Sequence, residues 1–191
     1  MGRWLPDARG RLQRAALELY TERGFEETTV ADISDRAGVT ERTFFRHFAD
    51  KREALFAGSE ELQRTIVEAV ESAPVALTPL EVTDRALAAA APLLGESHAY
   101  ATKRSAAIAA NPGLLERELL KLATLSGAMA DALRRRGVPD PAASLAAETG
   151  ITVFKVAYER WVQDTSPPKL GACFEQVSAE LRSLNTQGST E

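Results

Sequence analysis

The stretch Thr28-Thr29-Val30-Ala31-Asp32-Ile33-Ser34-Asp35-Arg36-Ala37-Gly38-Val39-Thr40-Glu41-Arg42-Thr43-Phe44-Phe45-Arg46-His47-Phe48 decides the fold. Val30, Ile33 and Ala37 recur at helical spacing, so a short helix runs up to Gly38. Ala37 is small enough for close helix approach, and Gly38 permits the positive φ of a sharp turn. Val39 plugs that turn into the core. Thr40 caps a further helix, whose buried side carries Phe44 and Phe48. Glu41, Arg42, Thr43, Arg46 and His47 are left facing outward. Two short helices about a glycine turn form a helix-turn-helix pattern.

A helix with that outward face suits a DNA major groove. Arginine can grip the O6/N7 edge of guanine with two hydrogen bonds, and hydroxyls and helix N-terminal amides suit phosphate oxygens. On these residues alone, a small helical corner with a solvated charged face is the alternative.

Outward from this core, helical periodicity persists and no period-two pattern does. Leu12, Ala15, Ala16 and Leu19 place a first helix over about Pro6 to Arg23, stopped by Gly24. Asp50 with Glu53 reads as a capping pair, so a long fourth helix is expected from Lys51 to before Pro74. Thr78-Pro79-Leu80-Glu81 combines an N-cap, a proline at the first helical position and a glutamate three residues after the cap. Asn111-Pro112, Asp140-Pro141 and Ser166-Pro167 repeat the cap-plus-proline signal, so helices should start near residues 79, 112, 141 and 167. Gly95 opens another, ending near Ala110, and Gly137 closes the helix that ends in Arg134-Arg135-Arg136. The expected class is all-α, with about nine helices. The expected division is a helix-turn-helix domain over residues 1–50 and a helical domain over 51–191, with a polar, fraying tail at 185–191.

A longer pattern surrounds the motif. It runs through Ala16-Leu17-Glu18-Leu19-Tyr20-Thr21-Glu22-Arg23-Gly24-Phe25, Thr28-Thr29-Val30-Ala31-Asp32-Ile33, Ala37-Gly38-Val39-Thr40, Thr43-Phe44-Phe45-Arg46-His47-Phe48 and Lys51-Arg52-Glu53-Ala54-Leu55. Over about residues 9 to 56 it resembles the DNA-binding domain of the TetR/AcrR family. The resemblance implies that Thr29 caps the second helix and touches phosphate. It places Thr40, Glu41, Arg42 and Thr43 at the groove-facing start of the recognition helix. It assigns His47 and Lys51 to the DNA backbone. Phe45 departs from the family, which commonly has tyrosine there: phenylalanine has no hydroxyl for phosphate, and Arg46 is the charge nearby. Arg3 stands ahead of the first helix, where a flexible arm into a minor groove and a disordered terminus are both open.

The remainder matches the family only in architecture, as a divergent helical domain for ligand binding and dimerisation. Leu170, Phe174, Val177, Leu181 and Leu184 are spaced 4, 3, 4 and 3, a heptad-like seam. The preceding helix is apolar on nearly every side, with Val153, Val156 and Trp161 among its residues. A two-fold partner covering these residues would give a four-helix contact, and burial inside one protomer is the alternative. Two DNA-reading heads favour the dimer. Candidate effector-lining residues are Ile66, Leu87, Leu119, Leu122, Met129, Phe154 and Tyr158, with His98, Tyr100 and Arg104 as polar contacts. Ordinary core packing is the alternative for each apolar one.

Composition bounds the rest. The 191 residues carry a net charge of −4. Residues 1–52 hold ten Lys/Arg and nine Asp/Glu, and the acidic excess lies beyond them. A near-neutral head on an acidic body permits a local DNA contact, not general coating of nucleic acid. One cysteine, Cys173, excludes a disulfide framework and a cysteine zinc cluster. Two histidines, and no glycine-rich phosphate loop or metal-ligand spacing, argue against an enzyme, a metal or a cofactor. No signal-peptide core or membrane-length apolar run occurs, so a cytoplasmic protein is expected. With the resemblance, the expectation is a ligand-responsive, sequence-specific transcriptional regulator. It would be a homodimeric repressor released from a palindromic double-stranded DNA operator by a small-molecule effector. A ligand-dependent activator and a helical interaction protein that uses the head for protein contacts are the alternatives.

Overall fold

A computed structural model of the chain describes residues 7–95 and 97–186. The elements are α1 (Ala8–Arg23), α2 (Val30–Ala37), α3 (Glu41–His47), a 3-10 turn (Arg52–Phe56), α4 (Ser59–Glu71), α5 (Pro79–Leu94), α6 (His98–Ala109), α7 (Pro112–Arg135), α8 (Ala142–Gln163) and α9 (Leu170–Thr186). The described residues are thus all-helical, as the periodicity requires. Arg3 lies outside the described residues, as does the expected tail beyond Thr186.

Local chemistry fixes most boundaries. Thr29 and Asp32 form a reciprocal capping box at α2, and Thr78 and Glu81 form another at α5. Each box satisfies backbone donors that a helix start would otherwise strand. Gly38 sits at φ 66° and ends α2, donating to the carbonyls of Ser34 and Asp35. Thr40 Oγ accepts from the Thr43 amide and starts α3. Gly137, at φ 89°, lies just beyond α7.

The long helix expected from Lys51 is two pieces. Asp50 Oδ1 accepts from the amides of Arg52, at 2.8 Å, and Glu53, at 3.2 Å, but it caps the 3-10 turn. Ala54, Leu55 and Phe56 are buried in succession. The 3-10 turn ends at Phe56, and α4 begins afresh at Ser59. Likewise α9 starts three residues later than the Ser166-Pro167 signal. The intervening chain is held by Trp161, whose indole N–H donates to the Pro168 carbonyl at 3.0 Å.

The chain forms two compact units, and they do not follow a cut at residue 50. One holds residues up to Ser59 together with Lys103–Leu119. The other holds Glu60–Thr102 together with residues from Leu120 onward. In the first unit, α1, α2, α3 and the 3-10 turn pack around Leu12, Ile33, Phe44 and Leu55. The α6–α7 corner joins this unit through side chains. Arg104 Nε donates to the Leu55 carbonyl at 2.9 Å and its guanidinium pairs with Glu118 at 3.0 Å. Arg117 pairs with Glu53 at 2.5 Å, and Asn111 donates to Glu26 at 3.0 Å.

The second unit has two apolar clusters. One gathers Ile66 and Val70 of α4, Val82, Ala86 and Ala90 of α5, Leu125, Met129 and Leu133 of α7, and Ala143, Ala147 and Ile151 of α8. The other gathers Leu87 of α5, Val153, Phe154 and Trp161 of α8, and Leu170, Phe174 and Val177 of α9. Gly150 makes close helix packing possible: a Cβ there would lie 3.2 Å from Thr83 and 3.3 Å from Met129.

Candidate nucleic-acid interface

The recognition helix is positioned from beneath by aromatic packing. Phe44 is fully buried and Phe48 nearly so, their ring centres 5.4 Å apart. This leaves Glu41, Arg42, Phe45 and Arg46 exposed on the opposite side, at i, i+1, i+4 and i+5. Phe45 is 56% exposed, and its ring stands edge-on to Phe44 at 5.5 Å. Thr43 and His47 are half-buried at the flanks.

Electrostatics separate this face from its support. Behind it, Arg23 pairs with Asp32 at 2.6 Å, and Arg36 grips Glu22 with two hydrogen bonds of 2.9 and 2.8 Å. The Thr29 hydroxyl and the Arg23 guanidinium hold the Asp32 carboxyl well below the usual carboxylate range. On the face itself, Glu41, Arg42 and Arg46 have no ion-pair partner among the described residues. The two arginine charges, unpaired and exposed, are available to the phosphates of a polyanion.

The other sequence-expected DNA residues divide. Thr29 caps α2 and is exposed, and Thr40 caps α3 with its hydroxyl 3.1 Å from that of Thr43. His47 keeps Nε2 buried without a hydrogen-bond partner among the described residues. Burial, with Arg46 and Arg9 adding repulsion, pushes its pKa below the ordinary histidine value. Lys51 has another task. Its ammonium donates to the carbonyls of Phe25 at 2.8 Å, Thr28 at 2.9 Å and Glu26 at 3.3 Å. All three ammonium protons are thereby used, so this lysine clamps the α1–α2 loop instead of presenting a free charge to phosphate. The sequence carried no local sign of that clamp, because its partners lie 23 to 26 residues away.

The candidate effector residues do not form one lining. Ile66 and Met129 are fully buried in the first cluster of the second unit, and Leu87 and Phe154 are buried in the second. Leu122 packs against both clusters. Tyr158 stacks on Phe154 at 5.8 Å, and Tyr100 is half-buried. His98 Nε2 donates to the Trp161 carbonyl at 2.9 Å, fastening the start of α6 to the end of α8. Arg104 and Leu119 fall in the first unit, so they are not grouped with the others.

The seam expected at a dimer interface is largely consumed within the protomer. Val153, Trp161, Leu170, Phe174 and Val177 are buried in the second cluster, and Leu181 packs against it. Of the expected interface residues, only Val156 and Leu184 are exposed, at 41% and 70%. Leu145, on the same outward side of α8 as Val156, is 63% exposed.

A capped turn that presents an exposed, charge-unpaired reading helix, in a chain with a further all-helical unit, defines a helix-turn-helix DNA-binding transcriptional regulator. The family model described as "Bacterial regulatory proteins, tetR family" matches residues 12–57. The HTH-type transcriptional regulator TcmR of Streptomyces glaucescens is 30% identical over 94% of this chain and 85% of its own length. The HTH-type transcriptional repressor KstR2 of Mycobacterium tuberculosis is 44% identical over 45 residues, 24% of this chain and 22% of its own. Among solved structures, FadR from Bacillus subtilis in complex with stearoyl-CoA superposes with a TM-score of 0.59 at 21% identity, over 90% of this chain and 96% of its own. The chain belongs to the tetR family of bacterial transcriptional regulators. Both of these curated relatives are transcriptional regulators. No helix among the described residues is long and apolar enough to cross a membrane.

Proposed function

We propose that the protein is a ligand-responsive repressor that holds a palindromic operator as a homodimer and is released by a small-molecule effector. The observation that carries this reading is the α3 face: Glu41, Arg42, Phe45 and Arg46 are exposed together, with their charges unpaired among the described residues. A relative matched over 45 residues of this chain is named a repressor. A chain of this fold has been solved with stearoyl-CoA, so the fold can hold a small molecule.

Two recognition helices must enter successive major grooves, about 34–36 Å apart. A two-fold axis provides that, and the outward side of α8, where Leu145 and Val156 are exposed, offers an apolar surface for it. The effector would enter beside Leu122, where the two apolar clusters of the second unit meet. Its binding would favour a head spacing that no longer fits the operator. A few kcal/mol of differential affinity is enough.

Selection of purified protein against a random DNA library at two salt concentrations tests the reading. A palindromic site with steep salt dependence supports it. Binding without sequence preference sinks it. A reporter gene behind the selected site then reads the sign of regulation, and activation by the protein would replace repression.

A further inference from the structure

Arg42 reading guanine follows from arginine's fork, but two neighbours on the same face are odd for a surface that meets DNA. Glu41 is an exposed carboxylate with no cation paired to it among the described residues. Beside a polyanion, such a group is repelled by every phosphate. It becomes favourable only where a base amino group donates to it, and the major-groove donor that suits a carboxylate is cytosine N4. Phe45 is an aromatic ring more than half exposed, standing edge-on to Phe44. It offers no hydrogen bond. The apolar feature of the major groove is the C5-methyl group of thymine.

We propose that Glu41 and Phe45 are specificity determinants, Glu41 demanding a cytosine and Phe45 a thymine methyl within each half-site. They lie four positions apart, one helical turn, so one α3 face presents both side chains. The inference rests on the DNA-binding reading above, and its test separates the two.

The operator is first selected with the wild-type protein; failure to obtain any preferred site counts against the DNA-binding reading and removes the ground for this one. With an operator in hand, each thymine is replaced in turn by uracil, which differs only by the methyl group. Wild-type protein should lose about fourfold in affinity per half-site at one thymine position, as expected for one buried methyl group. Phe45→Ala should bind both versions equally. Selection is then repeated with Glu41→Gln. Because glutamine suits adenine N6/N7, the preference at one position should move from cytosine to adenine, by about five- to a hundredfold, with the other positions unchanged. Both residues are exposed, so an unchanged melting temperature and circular dichroism spectrum should accompany the altered readout. The proposal is overturned if no thymine responds to uracil, if Phe45→Ala keeps the methyl response, or if Glu41→Gln selects the wild-type site.

Discussion

The Lys51 ammonium donates to the Phe25 carbonyl at 2.8 Å and lies 4.2 Å from the centre of the Phe25 ring. Carbonyls of Glu26 and Thr28 take its other protons. The Tyr20 hydroxyl donates to the Lys51 carbonyl at 2.5 Å, so the lysine is held from both ends. Lys51→Met should therefore destabilise the head by about 2–3 kcal/mol, from lost charged hydrogen bonds and a cation–π contact. The salt dependence of DNA binding distinguishes this from a phosphate contact. Lys51→Met should leave the slope of log affinity against log salt unchanged in the folded protein. Arg46→Ala should reduce it by about one per head. A slope reduced equally by both would return Lys51 to the phosphates.

The head was largely legible in the sequence because its determinants are local. Thr29, Gly38 and Thr40 each act on residues three or four positions away, and the structure finds them as two caps and a left-handed turn. The seam on α9 shows the opposite case. Its spacing reveals that Leu170, Phe174 and Val177 share an apolar face, but periodicity does not say what covers it. Leu87 of α5 and Phe154 of α8 belong to the same cluster, so a partner chain is not needed there. The polar ties of Arg104, Arg117 and Asn111 were also illegible, since each links residues 49 to 85 positions apart.

Arg104 gives the second prediction. Its side chain is only 18% exposed, its guanidinium lies 5.1 Å from the centre of the Phe56 ring, and it serves both the Leu55 carbonyl and Glu118. Arg104→Gln leaves Glu118 half-buried and unneutralised, and should cost about 2–3 kcal/mol in urea unfolding. Glu118→Gln should cost less, because the carbonyl and ring contacts survive. The double variant should fall short of the sum by about 1–2 kcal/mol. Strict additivity would mean that the pair contributes nothing.

His47 gives a pH dependence with a definite sign. Its pKa is lowered in the folded chain, first by burial and then by Arg46 and Arg9. The unfolded chain, titrating at the ordinary value of 6.5, binds the proton more readily. Between that value and the lowered one, stability should fall as the solution is acidified, and flatten below it. His47→Gln should remove this step from a plot of unfolding free energy against pH. An unchanged step would assign it to another group.

Leu145 and Val156 test the two-fold arrangement. They stand three turns apart on the outward side of α8, and neither is needed for the protomer's own clusters. A glutamate at each exposed position should leave the helical spectrum and the melting of the protomer almost unchanged. Across a two-fold axis, however, the same two substitutions would bring four carboxylates into an apolar contact, where desolvation and repulsion act together. If the proposed homodimer forms through this face, Leu145→Glu with Val156→Glu should therefore sediment as a monomer where the wild-type protein sediments as a dimer. Operator affinity should fall by at least about a hundredfold, because the second head loses the effective concentration that the first provides. A double variant that remains dimeric would move the axis to another face of the protein. One that is monomeric yet binds the operator normally would show that a single head suffices, and would remove the need for a palindrome.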